Sequence, residues 1–488
     1  MLFSLLTSPR YIHWIQDVPD QRAIVRQYMR YEHEIRRAHN APQIIFRALQ
    51  YANSSPKGPS YVIASRETFE EQAPAPTSKP SQTYERNMGL EAIGLTPSAL
   101  ATLAHALIES HRPLIVTSYC GRSAEGFYAL KDLAESLSIP VHENAPIYNN
   151  FPTTSFLHQG HQWNGGGQLP ALAEADVVIV IDSDVPWIPA QSRPGDDARI
   201  FHLDSDPLKD GTTLWSLPCE GRWRCDSEVA LPQLTAAIRA SPAFASAALK
   251  DRVVSRKGLL QARFQARKRR LRAAEQRPVD ESVTVPYVMS RFRDVTATGG
   301  ITVTGLNEAT TNLGNVADHL HHERPLSLIG SGGGSLGWYS GAAVGASMAL
   351  SSLGRQHREL LVAFVGDGTW LFGVPSCAYW MAHKYETPYL TVVWNNSGWA
   401  SPKNACLRLH PEKAAEATAA GGGVAEAMLA AIDPSPAFGT IVEGATAGNA
   451  WWKRVTQAAD VDGVLAEAVR QVLEERRCAL VEVVLPKV

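Results

Sequence analysis

Four polar or glycine-rich segments in the second half of the chain carry the residues best suited to chemistry. Each segment directly follows a predicted strand, and they comprise residues 305–311, 330–338, 366–369 and 395–399. The strands alternate with helical patterns, which predicts a parallel sheet. Loops that follow parallel strands meet at one edge of the sheet. We therefore expect the four segments to form a single site.

Asp367 and Asn396 have the residue types and spacing of a divalent-cation site. Asp367 stands between two glycines, and 26 residues separate Gly368 from the pair Asn395-Asn396. Mg²⁺ prefers oxygen ligands and usually binds through one or two side chains together with phosphate groups. Backbone amides at the start of the helix after Gly368 would add donors for an anion. This spacing favours a site for Mg²⁺ and a diphosphate.

The glycine loop leaves a nicotinamide nucleotide as an alternative ligand. Gly332, Gly334 and Gly337 satisfy the pattern GxGxxG, but a chain with 36 glycines produces this pattern readily. A dinucleotide fold also places an acid about 20 residues further on to bind a ribose. The next acid at a strand end is Asp367, 30 residues beyond Gly337. An NAD-type oxidoreductase is therefore the less favoured interpretation.

The combination of Gly366-Asp367-Gly368 with Asn395-Asn396 resembles the signature of thiamine-diphosphate-dependent enzymes. The stretch 334–338 and the loop Asn307-Glu308-Ala309-Thr310-Thr311 look like those of the acetolactate synthase and benzoylformate decarboxylase branch. The resemblance extends from about Asp17 to the C-terminus. It implies metal ligation by Asp367, Asn396 and the Gly398 carbonyl. It implies cofactor contacts by Asn307, Thr310, Thr311, Gly334, Leu336, Gly368 and Thr369.

Within this family, Leu336 would hold the cofactor in a bent conformation and the Gly334 carbonyl would accept from its amino group. The resemblance implies decarboxylation or carboligation of a 2-oxo acid, with thiamine diphosphate and Mg²⁺ as cofactors, in a homodimer or homotetramer. The cofactor carries the difficult chemistry and the protein positions it. A homologue that is non-catalytic or dependent on a partner, and binds the cofactor weakly, is the main alternative. Mass spectrometry of the bound cofactor would separate these possibilities.

The start of the chain departs from the family pattern. The strand that closes the pyrimidine-binding domain in the family is matched by residues 58–62. We therefore expect residues 1–70 to be a truncated pyrimidine-binding domain that lacks its first half. The glutamate that activates the cofactor belongs to that half. No residue of this chain is assigned the role of this activating glutamate, and the catalytic acid or base is unknown.

Composition excludes several other classes of protein. The 46 Lys and Arg residues and 48 Asp and Glu residues give a net charge of -2, which argues against a dedicated nucleic-acid binder. The six cysteines form no CxxC pair, which favours a reducing compartment over a disulfide framework. No apolar run approaches the ~20 residues that span a bilayer. We expect a cytoplasmic protein without a membrane partner.

The predicted fold class is α/β, with parallel-sheet, Rossmann-like three-layer domains. After residues 1–70 we predict a linker at 71–95. The overlapping stretch 68–85 is rich in Pro, Ser, Thr and Gln and is predicted to be extended. A central domain at 96–240, a basic helical linker at 241–280 and the diphosphate-binding domain at 281–488 follow. A helix is predicted over 21–37. The basic run 267–270 is interpreted as part of a solvated helix that links two domains, rather than as a phosphate-binding patch.

Two weaker signals concern histidines and a possible flavin. His158 and His161 could be ligands or substrate contacts, although loop capping and packing are the favoured interpretation. His319, His321 and His322 lack a cysteine or acid at metal-ligand spacing, so we expect them at the surface. The segment Asp204-Ser205-Asp206-Pro207 resembles a turn that contacts FAD in acetolactate synthases. Because relatives without FAD keep this turn, FAD is the less favoured cofactor.

Overall fold

The computed structural model describes residues 18–72, 87–163, 166–212, 215–413, 416 and 429–487. The chain forms two compact units. The first comprises Met1–Leu95, Asp204–Trp215 and Arg224–Ala230, and the second comprises Thr96–Leu203, Ser216–Trp223 and Leu231–Val488. Most of the predicted linker at 71–95 lies outside the described residues.

The first unit contains a small parallel sheet. Strands β1 (Tyr31–Ile35) and β2 (Ser60–Ala64) pair in parallel, and helix α1 (Ala41–Asn53) connects them. The helix predicted over 21–37 is wrong, because that stretch forms short 3₁₀ turns and then β1. The sequence Tyr-Glu-His-Glu-Ile of β1 alternates in chemical type with the period of two that suits a strand. Helix α2 (Arg66–Glu70) also occupies the beginning of the stretch predicted to be extended.

A six-stranded sheet, the central sheet, has the strand order β5-β4-β3-β6-β7-β8. Every pair from β5 to β7 is parallel. Strand β6 reads Val-Val-Ile-Val-Ile and is buried throughout, as expected for a strand with both faces covered. The elements of this part of the chain are α3 (Pro97–Glu109), β3 (Pro113–Thr117), α4 (Ala124–Leu137), β4 (Val141–Asn144), β5 (His158–Gln162), α5 (Pro170–Ala173), β6 (Val177–Ile181), β7 (Arg199–Asp204), β8 (Gly221–Arg224), α6 (Ser227–Ala240) and α7 (Ala247–Ala274).

A second six-stranded sheet, the C-terminal sheet, has the order β10-β9-β11-β12-β14-β13, and all its neighbouring strands are parallel. Its elements are α8 (Val285–Thr298), β9 (Thr302–Glu308), α9 (Leu313–His319), β10 (Leu328–Gly330), α10 (Trp338–Ser352), β11 (Glu359–Gly366), α11 (Asp367–Phe372), α12 (Ser376–Lys384), β12 (Leu390–Asn395), α13 (Ala400–Leu409), α14 (Phe438–Ala445), β13 (Trp451–Val455), α15 (Val461–Leu473) and β14 (Ala479–Val484).

Helices cover both faces of the C-terminal sheet. On β11, Val362 and Phe364 face a core that includes Phe292 of α8 and Leu465 of α15. Their neighbours Ala363 and Val365 face a second core built from α10, α11, α12 and α14. Because strand side chains alternate between faces, one apolar strand supplies both cores. The predicted three-layer α/β fold with a parallel sheet is confirmed.

The basic helix α7 packs against the protein instead of forming a purely solvated connection. Arg256 is buried, and its guanidinium donates to four carbonyls, those of Ser110, His111, Leu137 and Ser138. These carbonyls lie at or just after the C-terminal ends of α3 and α4. The last carbonyls of a helix have no donor within the helix, and Arg256 supplies one. Burial lowers the pKa of Arg256 to about 10. The prediction of a solvated helix is therefore wrong for this face of α7.

None of the helices in the described part of the chain has the length and apolar character needed to cross a bilayer.

Candidate active site

A cavity of about 230 Å³ opens at the carboxyl edge of the C-terminal sheet. All but one of the site residues expected from the sequence line it: Thr310, Thr311, Gly334, Leu336, Asp367, Gly368, Thr369, Asn396 and Gly398. The register explains this convergence, because Glu308 pairs with Val365 and Gly366 pairs with Trp394. The three neighbouring strands therefore end at the same level and place their loops together.

Asp367 is the charged residue of this cavity. It is 3% exposed, and its carboxylate accepts from the backbone amides of Gly368 (2.8 Å) and Gly398 (3.0 Å). Burial raises its pKa, although these backbone donors act in the opposite direction. Among the described residues, no lysine or arginine forms an ion pair with Asp367. A buried carboxylate without a cationic side chain suits a bound metal ion.

The two asparagines after β12 have different environments. The Asn395 carboxamide donates to Glu482 (2.7 Å), and its oxygen accepts from the Ser397 amide (3.0 Å). Asn396 lines the cavity, and its Oδ1 accepts from the Gly398 amide (3.2 Å). Of the two asparagines, Asn396 is therefore the one that lines the cavity together with Asp367.

Small residues and hydroxyls complete the cavity wall. The Trp399 ring packs so closely on Gly368 that a Cβ there would lie 2.6 Å from the ring. The Thr369 hydroxyl donates to the Glu308 carbonyl (3.2 Å). Asn307, the remaining predicted contact, is not among the cavity-lining residues, and its carboxamide donates instead to the Leu313 carbonyl (3.1 Å). Asn307 thus holds its own loop in the described structure.

The sheet order disfavours the dinucleotide interpretation. The glycine loop follows β10, whereas Asp367 follows β11, and β9 lies between these two strands. In a dinucleotide fold the ribose-binding acid ends the strand next to the one that precedes the glycine loop. Asp367 instead shares a cavity with Asn396, Gly398 and the two threonines of the β9 loop. This donor set suits a metal ion and phosphate oxygens.

The C-terminal region is similar to a known class of domain. Residues 309–483 match the family described as "Thiamine pyrophosphate enzyme, C-terminal TPP binding domain". The match covers all the cavity-lining residues. The chain is thus related to the thiamine-diphosphate-dependent enzymes, as its glycine and asparagine motifs predicted.

Particular relatives are decarboxylases. The chain is 24% identical to benzoylformate decarboxylase of Pseudomonas aeruginosa over 397 residues, which is 78% of this chain and 66% of that protein. Its fold is similar to that of a thiamine diphosphate-dependent 4-hydroxybenzoylformate decarboxylase of Rhodococcus jostii RHA1, with TM-score 0.71, 17% identity, and coverage of 98% of this chain and 81% of that one. Benzoylformate decarboxylase of Polynucleobacter necessarius gives TM-score 0.70, 17% identity, and coverage of 99% and 80%.

A second polar cluster, the junction cluster, joins the central sheet to helix α9 inside the second unit. It consists of Glu143, His158, His161, Arg267 and Asp318. Glu143 lies near both histidines (Oε1 to Nε2, 3.1 and 3.6 Å), and His161 Nδ1 lies 3.0 Å from Asp318. Arg267 pairs with Asp318 (2.6 Å) and donates to Nδ1 of His158 (3.0 Å).

The ligand atoms of Glu143, His158 and His161 lie within 4.8 Å of one another, which is close enough for a metal site. However, Arg267 is always a donor, so Nδ1 of His158 accepts and its Nε2 carries the hydrogen that faces Glu143. The cluster is therefore internally paired, with two carboxylates balanced by Arg267 and a charged His161. We interpret it as a structural ion-pair network, which agrees with the packing role favoured for His158 and His161.

Burial and partner charges separate the pKa values within the junction cluster. Burial lowers the pKa of His158 to about 4. Burial also disfavours a charged His161, but its contacts with Asp318 and Glu143 prevail and raise its pKa to about 9. Burial opposes ionisation of Glu143 as well, yet contacts with the two histidines hold its pKa well below the usual range.

We expect the free energy of unfolding to fall between pH 6.5 and pH 9. The pKa of His161 is raised from 6.5 to about 9 on folding, so its stabilisation is complete below pH 6.5 and is lost as the pH rises through 9. The decrease should be about 3 kcal/mol at most, at about 1.4 kcal/mol per pKa unit. Urea unfolding across this range measures it. His161→Gln should flatten the profile, whereas replacement of the exposed His105 should not. An equal decrease in His161→Gln would contradict the assignment.

Two predictions about other histidines are wrong. His319 is 2% exposed and bonds through Nδ1 to Glu275 (2.8 Å), and His322 is also buried, with Nδ1 beside the Ser327 hydroxyl. Burial lowers the pKa of His322 to about 3. His321 is exposed, as expected. Glu275 belongs to a distant part of the sequence, so local spacing gave no signal for this partner.

The Asp204 turn has internal partners of its own. The Asp204 carboxylate accepts from the Asp206 amide and from Lys209 (both 2.8 Å). These contacts account for the buried charge of Asp204 without a ligand, and a role in FAD binding stays a less favoured prediction.

Proposed function

We propose that the cavity at the end of the C-terminal sheet binds thiamine diphosphate together with Mg²⁺. The single observation that carries the proposal is the convergence of Asp367, Asn396 and Gly398 beside the hydroxyls of Thr310, Thr311 and Thr369. Carboxylate, amide and carbonyl oxygens are the ligands that Mg²⁺ takes alongside phosphate. The Thr310 and Thr311 hydroxyls would be donors for the diphosphate, whereas the Thr369 hydroxyl and the Gly368 amide donate to Glu308 and Asp367, respectively.

Each residue has a distinct task in this proposal. Asp367, Asn396 and the Gly398 carbonyl hold the metal, and the two threonines of the β9 loop orient the diphosphate. Leu336 and Gly334 also line the cavity, where a bulky side chain and a backbone carbonyl would fix the orientation of the organic part. When bound, the cofactor would supply a carbon nucleophile for a carbonyl group and an acceptor for the electron pair released with CO₂.

We propose decarboxylation of a 2-oxo acid as the reaction. Support comes from the named relatives, which are benzoylformate and 4-hydroxybenzoylformate decarboxylases. An aryl-substituted 2-oxo acid is therefore the first substrate to test. Carboligation of the acetolactate synthase type is a second candidate, because the stretch 334–338 and the loop 307–311 resemble both groups. Assembly as a homodimer or homotetramer belongs to the same proposal.

Calorimetry with thiamine diphosphate, with and without Mg²⁺, tests the binding proposal directly. We expect saturable binding only when the metal is present. Detection of CO₂ from benzoylformate and pyruvate then separates an active enzyme from a homologue that only binds the cofactor. Light scattering of the same sample gives the oligomeric state. Absence of binding at millimolar thiamine diphosphate with Mg²⁺ would refute the proposed function.

A further inference from the structure

Glu308 ends strand β9 at the edge of the candidate site, but its side chain does not line the cavity. It is 4% exposed, and its carboxylate spans the start of helix α10. Oε1 accepts from the Trp338 amide (3.2 Å) and Oε2 accepts from the Tyr339 amide (2.9 Å). Burial raises the pKa of Glu308, while these backbone donors act against that rise.

Helix α10 needs an acceptor from elsewhere in the chain. Its N-cap residue is Gly337, which has no side chain to accept from the first turn and adopts φ +93°. The first amides of a helix have no intrahelical partner and are usually satisfied by a side chain at the N-cap. Glu308 supplies two acceptor oxygens and a negative charge at this positive end of the helix.

The loop before α10 depends on restraints at its two ends. At its beginning, the Gly330 amide donates to the Ile147 carbonyl (2.6 Å). At its end, Gly337 lies against Gly373, so that a Cβ on Gly337 would be 2.5 Å from the Gly373 Cα. Between them, a Cβ placed on Gly332, Gly333 or Gly334 would meet nothing within 4 Å. The middle of the loop therefore has little packing of its own.

We infer that Glu308 is a positioning residue, which fixes the end of the glycine loop and thereby the places of Gly334 and Leu336 in the cavity. The inference rests on the proposed function, because these two residues are proposed to contact the organic part of thiamine diphosphate. Glu308 holds the loop through backbone amides. The metal ligands belong to other segments. The pair Thr310-Thr311 follows Glu308 in its own loop, but the Glu308 carboxylate bonds to the backbone amides of α10 rather than to these threonines. The Thr369 hydroxyl contacts only the backbone carbonyl of Glu308.

Glu308→Gln tests this role with nearly unchanged shape. The amide keeps one acceptor oxygen, but its NH₂ group then faces a backbone N–H. Glu359→Gln is the matched control, because Glu359 is also a buried carboxylate of the C-terminal sheet, paired with Arg324 (3.3 Å). Glu359 begins strand β11 and therefore lies at the edge of the sheet away from the cavity. If Glu308→Gln does not fold, Glu308→Asp, which retracts the carboxylate, replaces it in the same measurements.

The first measurement is hydrogen exchange of peptides covering 331–342 in the cofactor-free protein. We expect Glu308→Gln to accelerate exchange of the Trp338 and Tyr339 amides about tenfold, which corresponds to about 1.4 kcal/mol, and Glu359→Gln to leave them unchanged. Unchanged exchange in Glu308→Gln would overturn the inference. This measurement needs no cofactor, so it decides the tethering role even if the proposed function fails.

The second measurement compares thiamine diphosphate with inorganic pyrophosphate, both with Mg²⁺. Glu308→Gln should weaken binding of thiamine diphosphate about tenfold and change pyrophosphate binding less than about twofold. An equal loss for both ligands would overturn the inference, since it would indicate general damage to the site. If the wild-type chain binds neither ligand, the proposed function is refuted and the exchange result alone decides the role of Glu308.

Discussion

Replacement of Asp367 by asparagine is expected to weaken Mg²⁺-dependent binding of thiamine diphosphate more than about 100-fold. Loss of a partner in the outer shell of a metal site typically costs 10- to 100-fold, and Asp367 is proposed to be the charged direct ligand. Asparagine keeps the size of the side chain and one acceptor for the Gly368 and Gly398 amides. Alanine would leave both amides without this acceptor, at about 1–3 kcal/mol for each unsatisfied group. Asparagine is therefore the cleaner substitution.

Calorimetry with Mg²⁺ present measures this effect, and thermal unfolding verifies that the variant is folded. Asp294→Asn provides a matched control, because Asp294 is an exposed residue of α8 that does not line the cavity. Its affinity for the cofactor should equal that of the wild-type chain. Wild-type affinity in Asp367→Asn would show that the metal site has been assigned to the wrong residue.

Glu143→Gln should reduce the free energy of unfolding by about 3–5 kcal/mol, the usual result of removing one partner from a buried ion pair. Glu143 is fully buried, and its Oε2 accepts from the backbone amide (3.1 Å) and carboxamide (2.8 Å) of Asn150. Its Oε1 faces His158 and His161. Glutamine would place an NH₂ group against one set of donors and would leave the junction cluster with an uncompensated positive charge.

Urea unfolding at pH 7 measures this loss. Glu135→Gln is the control, because Glu135 pairs with Lys131 (2.8 Å) at the surface, where such pairs are worth about 0–1 kcal/mol. A loss below about 1 kcal/mol in Glu143→Gln would mean that the junction cluster is not an ion-paired network in solution.

The candidate site was readable from the sequence because its residues follow strands that the sequence marks clearly. The runs before Asp367 and Asn395 are almost entirely apolar, with Thr391 as the polar residue of the second run, which predicts buried parallel strands whose ends meet. Given these strands, the rule that ligands bind at the carboxyl edge of a parallel sheet was enough to predict Asp367 and Asn396 as site residues. Asn307 followed the same rule, but the contact of its carboxamide with Leu313 depends on a local turn that the pattern does not reveal.

The sequence-based predictions were wrong or incomplete where the structure depends on partners that are distant in the sequence. Tyr31–Ile35 has polar residues that fit a surface helix as well as a strand, and only pairing with β2 decides between them. The junction cluster joins residues as far apart as Glu143 and Asp318, so no spacing rule could predict that His161 would be charged. The same holds for Glu308, whose two donors lie 30 and 31 residues further along the chain.

The contacts of Arg256 have a consequence for the order in which the chain can fold during synthesis. Helices α3 and α4 leave the ribosome long before Arg256, which is 146 residues after Ser110 and 119 after Leu137. Until α7 emerges, the carbonyls at the ends of both helices have only water as a donor. A fragment of the central sheet that stops before residue 256 would keep these carbonyls hydrated, and we expect a fragment that extends into α7 to be the more stable of the two.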